Sequence, residues 1–170
     1  MPIRLLNASD RPLLREATLA NMNWCGSRFS FDDLDQSAEL AHYYSDFPGE
    51  NDFGMLDEAG GVARAVAWLV FFSAEHPGYG FIEAATPELS ITTFEGFRGQ
   101  GVGSALLEQL IAEAAARSVP GISLSVEDGN QARSLYARLG FQVVGRSGDS
   151  DTMLLRLPRL PRTASTKSQP

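Results

Sequence analysis

Four glycines and an arginine separate a predicted strand that ends at Phe94 from a predicted helix that begins near Gly101. The glycines are Gly96, Gly99, Gly101 and Gly103, the arginine is Arg98, and Gln100, Val102 and Ser104 stand among them. Glycine allows a tight turn and lets a ligand approach peptide N–H groups closely. A helix N-terminus adds free N–H groups and a positive dipole, and a guanidinium adds charge-assisted hydrogen bonds. The segment therefore predicts a turn that binds a pyrophosphate.

Three classes of ligand use such a turn, and two of them conflict with the spacing in this sequence. A nucleoside-triphosphate P-loop needs a lysine directly after its last glycine, and none follows these glycines. A dinucleotide-binding fold needs G-x-G-x-x-G and an acidic residue about 20 positions later. Here the glycines fall as G-x-G-x-G, and the next predicted strand has no acidic residue before Glu127. Coenzyme A is the remaining class.

A second stretch downstream supports the same interpretation. Ile122-Ser-Leu-Ser-Val126 predicts a strand, and Asn130-x-Ala132-x-x-Leu135-Tyr136-x-x-Leu139-Gly140-Phe141 follows it. With Arg98-x-x-Gly101-x-Gly103, this stretch resembles the conserved parts of the GNAT N-acetyltransferase superfamily, whose signature reads Q/R-x-x-G-x-G/A. The resemblance covers most of residues 2–157 and is well marked over 88–157. It implies acetyl-CoA as co-substrate and direct transfer of the acetyl group to an amine.

The resemblance also implies roles for individual residues. Backbone groups of Ile91, Thr92 and Thr93, on a central strand that splays from its neighbour, would bind the pantetheine arm. The remaining cofactor-binding residues would be Arg98, Gly99, Gln100, Gly101, Val102, Gly103, Ser104 and Asn130. Tyr136 occupies the position of the family's usual acid, and a phenol of pKa about 10 suits a departing thiolate. Two plainer alternatives stay open: Asn130 as a helix N-cap and Tyr136 as a core tyrosine.

The general base is less clearly marked. Some family members carry a glutamate five residues before the asparagine, where this sequence has Ser125, which is not a base. Glu88, at the start of the central strand, and Glu83, just before it, are the candidates. Glu88 also suits a surface position at a strand end. Histidine is a common general base, but nothing in the sequence places His42 or His76 beside the thioester.

Charge is unevenly distributed along the chain. The net charge is −7, yet residues 29–97 hold thirteen acidic residues and one basic residue, Arg64, whereas residues 98–170 are net positive by 3. Aromatic residues accompany the acidic segment: Trp24, Phe29, Phe31, Tyr43, Tyr44 and Tyr79. Carboxylates and aromatic faces suit a cationic amine, so we predict a small cationic amine or a peptide amine as acceptor. The alternative is that the acidic residues only confer solubility.

Hydrophobic periodicity predicts the elements that position these residues. The expected order is β-α-α-β-β-β-α-β-α-β-β, a mixed α/β domain with helices on both faces of a sheet. The second helix is predicted over 31–44. Residues 1–157 are expected to form one GNAT-like domain, and 158–170, rich in Pro, Ser and Thr, a disordered tail.

Composition limits the class of protein. The acidic balance argues against nucleic-acid binding, and no apolar run is long enough to span a membrane. One cysteine, Cys25, and two histidines make no zinc pattern, so no metal is expected. A reducing, cytoplasmic location is predicted, and exposed strands over 141–157 would permit a homodimer. The rival to an active enzyme is a non-catalytic module that binds acyl-CoA.

Overall fold

A mixed sheet of seven strands runs through the protein, in the spatial order β1-β2-β3-β4-β5-β7-β6. The computed structural model describes residues 2–158. The strands are β1 Ile3–Leu5, β2 Phe53–Ala59, β3 Val62–Val70, β4 Glu88–Thr93, β5 Gly121–Glu127, β6 Gln142–Ser147 and β7 Ser150–Arg156. Neighbouring strands are antiparallel except β4 and β5, which are parallel. The predicted strand order along the chain and the mixed α/β class are confirmed.

Helices cover both faces of the sheet. They are α1 Arg11–Met22, α2 Phe31–Gln36, α3 Ala38–Ala41, α4 Val102–Ala116 and α5 Ala132–Arg138, with a short 3-10 helix at Ala8–Asp10. Helices α4 and α5 pack on one face, and α1, α2 and α3 pack on the other. Side chains of β3 alternate between the two cores: Ala65, Ala67 and Leu69 face the first, and Val66, Trp68 and Val70 face the second. This alternation is the period of two that a fully buried strand requires.

The predicted helix over 31–44 is in fact two short helices, α2 and α3. Ser37 separates them in an extended conformation, with φ −98° and ψ 113°. Leu34 and Leu40 are both buried in the core beneath these helices. Six residues on an unbroken helix would turn them about 120° apart, so one would face away from the core. The break allows both side chains to be buried on the same side.

The parallel pair β4 and β5 separates soon after it begins. Glu88 opposite Ser123 is the aligned residue pair between them, and the Ser123 N–H donates to the Pro87 carbonyl at 3.0 Å. On its other side β4 stays paired with β3 along its whole length, from Glu88 to Thr93. The splayed sheet implied by the resemblance is therefore present. It leaves backbone groups of both strands facing a gap.

The C-terminal tail predicted over 158–170 lies outside the described residues, except for Pro158. Within residues 2–158, no helix is long and apolar enough to cross a membrane.

Candidate active site

A cavity of about 780 Å³ lies where β4 and β5 separate. Its walls come from β4, from residues 124–127 of β5, from the second half of α1, and from the start of α5. Tyr43 and Tyr79, from the connections before β2 and β4, close one end. Because the cavity forms where the two strands separate, residues that are far apart in the chain line the same space.

Many of the predicted site residues line this cavity. They are Glu88, Ile91, Thr92, Thr93, Arg98, Gly103, Asn130 and Tyr136. Five others do not line it and instead form the turn and the first turn of α4 beside it: Gly99, Gln100, Gly101, Val102 and Ser104. In this turn the Gln100 side-chain amide donates to the Gly96 carbonyl at 3.1 Å. The turn therefore lies at the edge of the cavity, open to a group that extends out of it.

Glycine is required at two positions of this turn for different reasons. Gly101 is the N-cap of α4 and has φ +78°, a left-handed conformation that disfavours other residues. Gly103 faces the end of β4, where an added Cβ would lie 2.4 Å from Thr93 Oγ1. Helix α4 thus begins in close contact with β4, and its free N–H groups are directed toward the cavity edge. This geometry suits an anionic ligand.

Arg98 and Asn130 border the same half of the cavity. The Arg98 Nε donates to the Thr93 carbonyl at 3.1 Å, which anchors the side chain to the end of β4. Asn130 Oδ1 accepts from the Ala132 N–H at 3.0 Å, so Asn130 stabilises the turn that leads into α5. The N-cap residue of α5 is Gln131, and the hydrogen bond of Asn130 is compatible with its position on the cavity wall. This half of the cavity has the glycines, the helix terminus and the arginine that a pyrophosphate and its pantetheine arm need.

Tyr136 projects from α5 into the cavity wall and is 8% exposed. Among residues 2–158 its hydroxyl has no hydrogen-bond partner, and its ring lies 5.8 Å from that of Phe141. Burial raises the pKa of this phenol to about 12, because the charged form is poorly solvated. Tyr136 therefore keeps its proton at neutral pH and can donate it.

Glu88 is buried, at 4% exposure, at the closed end of the gap. Its carboxylate accepts hydrogen bonds from the Tyr43 hydroxyl and the Gly80 N–H. Burial raises the pKa of Glu88 to about 7, and the two hydrogen bonds act in the opposite direction. A carboxyl group that titrates near neutral pH can accept a proton and release it again.

Glu83, the second predicted base, is not brought to this cavity. Its carboxylate accepts from the Thr86 hydroxyl at 2.8 Å, and it lines a separate cleft of about 220 Å³ with Arg156 and Leu157. His42 and His76 are also absent from the cavity wall. Glu88 is thus the predicted base candidate that the structure places in the cavity.

Two residues that the sequence did not single out lie in the cavity wall or beside it. Asn21 of α1 lies with its Oδ1 2.7 Å from the Thr92 hydroxyl, which joins α1 to β4. Gly80 lies so close to Leu124 and Ser125 that an added Cβ would be 2.6–2.9 Å from their backbone atoms. The one sequence signal for this contact is the pair of glycines in the irregular segment Gly78-Tyr79-Gly80.

The acidic segment contributes little to the cavity wall. Of the acidic residues in 29–97, only Glu88 lines it, within the part of the chain that the structure describes. Glu127, from β5, also lines it but is paired with Arg28 at 2.8 and 3.0 Å. That pairing holds the pKa of the Glu127 carboxyl below its usual value. Residues 2–158 contain no cluster of His, Cys, Asp or Glu suited to a metal ion.

Comparison with known proteins agrees with this geometry. The profile of the Acetyltransferase (GNAT) family matches residues 17–141, from α1 to the residue before β6. The chain belongs to this family, and it is therefore an acetyltransferase by class. No curated protein sequence matches it.

Solved structures share the fold at low sequence identity. The putative acetyltransferase yncA from Salmonella typhimurium, with its cofactor acetyl-CoA, is 24% identical with a TM-score of 0.66, over 93% of this chain and 94% of its own. Ribosomal-protein-alanine N-acetyltransferase from Brucella melitensis is 24% identical with a TM-score of 0.62, over 92% and 100%. The paia N-acetyltransferase from Thermoplasma acidophilum, in complex with coenzyme A, is 16% identical with a TM-score of 0.62, over 92% and 99%.

Proposed function

We propose that this protein is an acetyl-CoA-dependent N-acetyltransferase that moves the acetyl group directly to a primary amine. The observation that carries the proposal is that Glu88 and Tyr136, a carboxyl and a phenol, line the same cavity. Attack by an amine needs a proton acceptor, and departure of a thiolate needs a proton donor. Membership of the family supports acetyl transfer in general, and these two side chains support an amine as acceptor.

Acetyl-CoA is assigned to the half of the cavity beside α4. Its pyrophosphate would bind the turn formed by Arg98, Gly99, Gln100, Gly101, Val102, Gly103 and Ser104. Its pantetheine arm would lie in the gap beside β4 and use backbone groups of Ile91, Thr92 and Thr93, with Asn130 on the opposite wall. The splayed strands support this assignment, because they leave backbone donors and acceptors that a pantetheine amide can satisfy. A backbone N–H of β4 would also stabilise negative charge on the thioester oxygen.

Bound acetyl-CoA supplies a thioester carbon that bonds to the amine nitrogen as its C–S bond breaks, with the electron pair leaving on sulfur. An alkylamine of pKa about 10.4 arrives as an ammonium ion, and the Glu88 carboxylate accepts one of its protons. Tyr136 donates its phenolic proton to the departing sulfur and recovers the second proton of the nitrogen, directly or through water. Glu88 then returns its proton to solvent, so both side chains end as they began.

The acceptor half suits a small cationic amine or the amine of a peptide. Trp24, Tyr43 and Tyr79 contribute aromatic surface, and Glu88 contributes a carboxylate. A cation is attracted to both kinds of group. The support from charge therefore rests on Glu88 and the aromatic side chains, and less on the acidic segment as a whole.

A thiol-release assay tests the proposal. Purified protein with acetyl-CoA is supplied with a panel of alkylamines, aromatic amines, amino acids and short peptides, and free thiol is measured over time. We expect amine-dependent release that is fastest with small cationic amines or peptide amines. Tight binding of acetyl-CoA without amine-dependent release would instead support the rival, a non-catalytic acyl-CoA-binding module. The non-catalytic alternative is supported by Ser125, which stands where some family members have a glutamate. Glu88, however, provides a carboxyl group in the same cavity.

Two further expectations belong to this proposal. The exposed thiol of Cys25 is compatible with the predicted reducing, cytoplasmic location. Strand β6 is exposed along its length at the edge of the sheet, which supports the predicted homodimer. Light scattering coupled to size-exclusion chromatography measures the molar mass and decides between one chain and two.

A further inference from the structure

We propose that Tyr43 is a positioning residue for the transfer reaction, which fixes the Glu88 carboxylate at the closed end of the cavity so that it can collect the amine proton. This inference rests on the proposed function. Tyr43 lies 45 positions before Glu88, and nothing in the sequence pattern links the two residues. The structure links them directly.

The two oxygens of the Glu88 carboxylate have separate donors. The Tyr43 hydroxyl donates to Oε2, and the Gly80 N–H donates to Oε1. Two donors at opposite ends of a carboxylate fix its plane as well as its place. Each oxygen keeps a further lone pair, so the carboxylate can still accept a proton from the cavity.

The Tyr43 side chain is itself held firmly. The Trp68 indole N–H donates to the Tyr43 carbonyl at 2.8 Å, and Trp68 is fully buried. The Tyr43 ring packs edge-on against Phe72 at 5.0 Å and lies parallel to Tyr79 at 6.1 Å. The hydroxyl therefore has little freedom to leave Glu88.

The segment Gly78-Tyr79-Gly80 closes the arrangement from the other side. The Tyr79 N–H donates to the Tyr43 hydroxyl oxygen at 2.7 Å. Gly78 has no room for a side chain, because an added Cβ would lie 2.7 Å from Glu88 Oε1 and from the Phe72 ring. The two glycines thus bring backbone N–H groups against Tyr43 and Glu88, where a larger residue would push them apart.

This geometry makes Tyr43 a donor to Glu88 and not a relay for its proton. The phenol has a single proton, which forms the hydrogen bond to the Glu88 carboxylate. Its oxygen accepts a hydrogen bond from the Tyr79 N–H. Tyr43 and Tyr79 are the ionisable groups that face Glu88 among residues 2–158. The Tyr43 hydrogen bond lowers the pKa of Glu88, against the effect of burial. Removing the hydroxyl should therefore raise that pKa.

The test compares Tyr43→Phe with Tyr44→Phe. Tyr44 is the control, because its side chain is as little exposed as that of Tyr43 and donates to a carboxylate, Asp35, at 2.6 Å, in a hydrogen bond that is only partly buried and lies outside the cavity wall. Both full-length variants are assayed for amine-dependent thiol release from pH 5 to 10. The Glu88 carboxyl is titrated in each by ¹³C NMR on glutamate-labelled protein, with Glu88→Gln used to assign the signal.

In Tyr43→Phe we expect the pKa of Glu88 to rise. The acidic limb of the pH profile of kcat/KM should move to higher pH by the same amount. The expected shift is about one to two pH units, the effect of one hydrogen bond to a charged group. Activity should recover at high pH, and Tyr44→Phe should keep both the wild-type pKa and the wild-type limb. Equal loss of activity at every pH would indicate a merely structural role.

An unshifted Glu88 pKa in folded Tyr43→Phe would overturn the inference. A shifted pKa with an unshifted limb would also overturn it, because Glu88 would then not be the group that collects the proton. Both results leave acetyl transfer to an amine standing, since wild-type protein still releases thiol, and the second result removes Glu88 as its base. No thiol release from wild-type protein with any amine would overturn the proposed function and the positioning role together.

Discussion

Tyr136 and Glu88 are affected by the same physical cause in the same direction. Both are buried in one cavity, and burial disfavours the charged form of each, so both pKa values rise. For the phenol, a pKa of about 12 means that it stays protonated at neutral pH but is a weaker acid than an exposed tyrosine. For the carboxyl, a pKa of about 7 makes it a stronger base than an exposed glutamate at neutral pH. The same burial thus strengthens the proposed base, Glu88, and keeps the proposed acid, Tyr136, protonated.

Substitution of Tyr136 by phenylalanine should lower kcat about 100-fold, the lower range for loss of a general acid. The hydroxyl has no partner among residues 2–158, so the temperature of unfolding should change little. Thiol release over a pH series and thermal unfolding measure the two effects. Full activity at every pH would show that another group, or water, protonates the thiolate.

Stability should depend on pH through Glu88. Its pKa is higher in the folded protein, about 7, than the ordinary value of 4.5, so the folded state favours the protonated form. The contribution of Glu88 to stability is therefore largest below pH 4.5 and decreases as pH rises to about 7. Glu88→Gln lacks this dependence. Thermal unfolding of both proteins from pH 4.5 to 8 should show the wild type losing stability relative to the variant, and a constant difference would contradict the raised pKa.

The residues of the site differ in how far the sequence could reveal them. Arg98, Gly103, Asn130 and Tyr136 follow a local motif whose spacing is preserved in the chain. Tyr43 and Asn21 line the cavity, and Gly80 lies beside it against β5, only because α1 and the connection before β4 pack against the separated strands. Such contacts depend on tertiary packing, which no local pattern encodes. Glu83 stands near Glu88 in sequence but is directed into another cleft.

At the scale of elements, the close approach of α4 to β4 determines the shape of the half of the cavity that is proposed to bind acetyl-CoA. In Gly103→Ala the new Cβ would collide with Thr93 Oγ1, so the start of α4 must move or Thr93 must rotate. We expect the Kd for coenzyme A, measured by calorimetry, to rise about tenfold. That corresponds to a cost of about 1.4 kcal/mol.

Thr93→Ala provides the control, since it removes the atom that collides. In the Thr93→Ala background, the Gly103→Ala substitution should raise the Kd much less than in the wild type. Equal effects in both backgrounds would show that the close contact between α4 and β4 is not the cause.

The loop after α1 is attached to β5 by Arg28. Its guanidinium binds Glu127 through two nitrogens and also donates to the Met22 carbonyl at 2.6 and 3.1 Å. Arg28→Ala should raise the acceptor KM several-fold with little change in kcat, because the loop carries Trp24 into the cavity wall. Unfolding should change little, as expected for an exposed ion pair. Arg117→Ala removes a similar pair outside the cavity and should leave KM unchanged.

The order of elements was predictable because hydrophobic periodicity and glycine breaks are local signals. The break at Ser37 was not, since residues 31–44 read as one amphipathic helix. Only the shape of the core beneath it, which must accept both Leu34 and Leu40, forces two helices. The gap between β4 and β5 was predictable by resemblance alone, because the sequences of both strands are compatible with full pairing.

At the scale of the whole molecule, the uneven charge is mostly a property of the surface. Of the acidic residues in 29–97, Glu88 alone lines the cavity among residues 2–158, and Asp35 and Asp57 are paired with arginines. Exposed charges more than about 8 Å apart are largely screened at physiological salt. Raising the salt from 0.05 to 0.5 M should therefore change the acceptor KM by less than about threefold. A tenfold rise would show that the surface acids recruit the amine.

The single aligned pair between β4 and β5 has a consequence for the fate of the protein without its co-substrate. The gap exposes two inner strand edges, and unpaired edges are templates for association with other chains. A ligand that fills the gap covers both edges and bridges the two halves of the sheet. Resistance to aggregation and slow amide hydrogen exchange in β4 and β5 should therefore depend on the concentration of acetyl-CoA. The supply of co-substrate then influences how long each molecule survives as well as how fast it works.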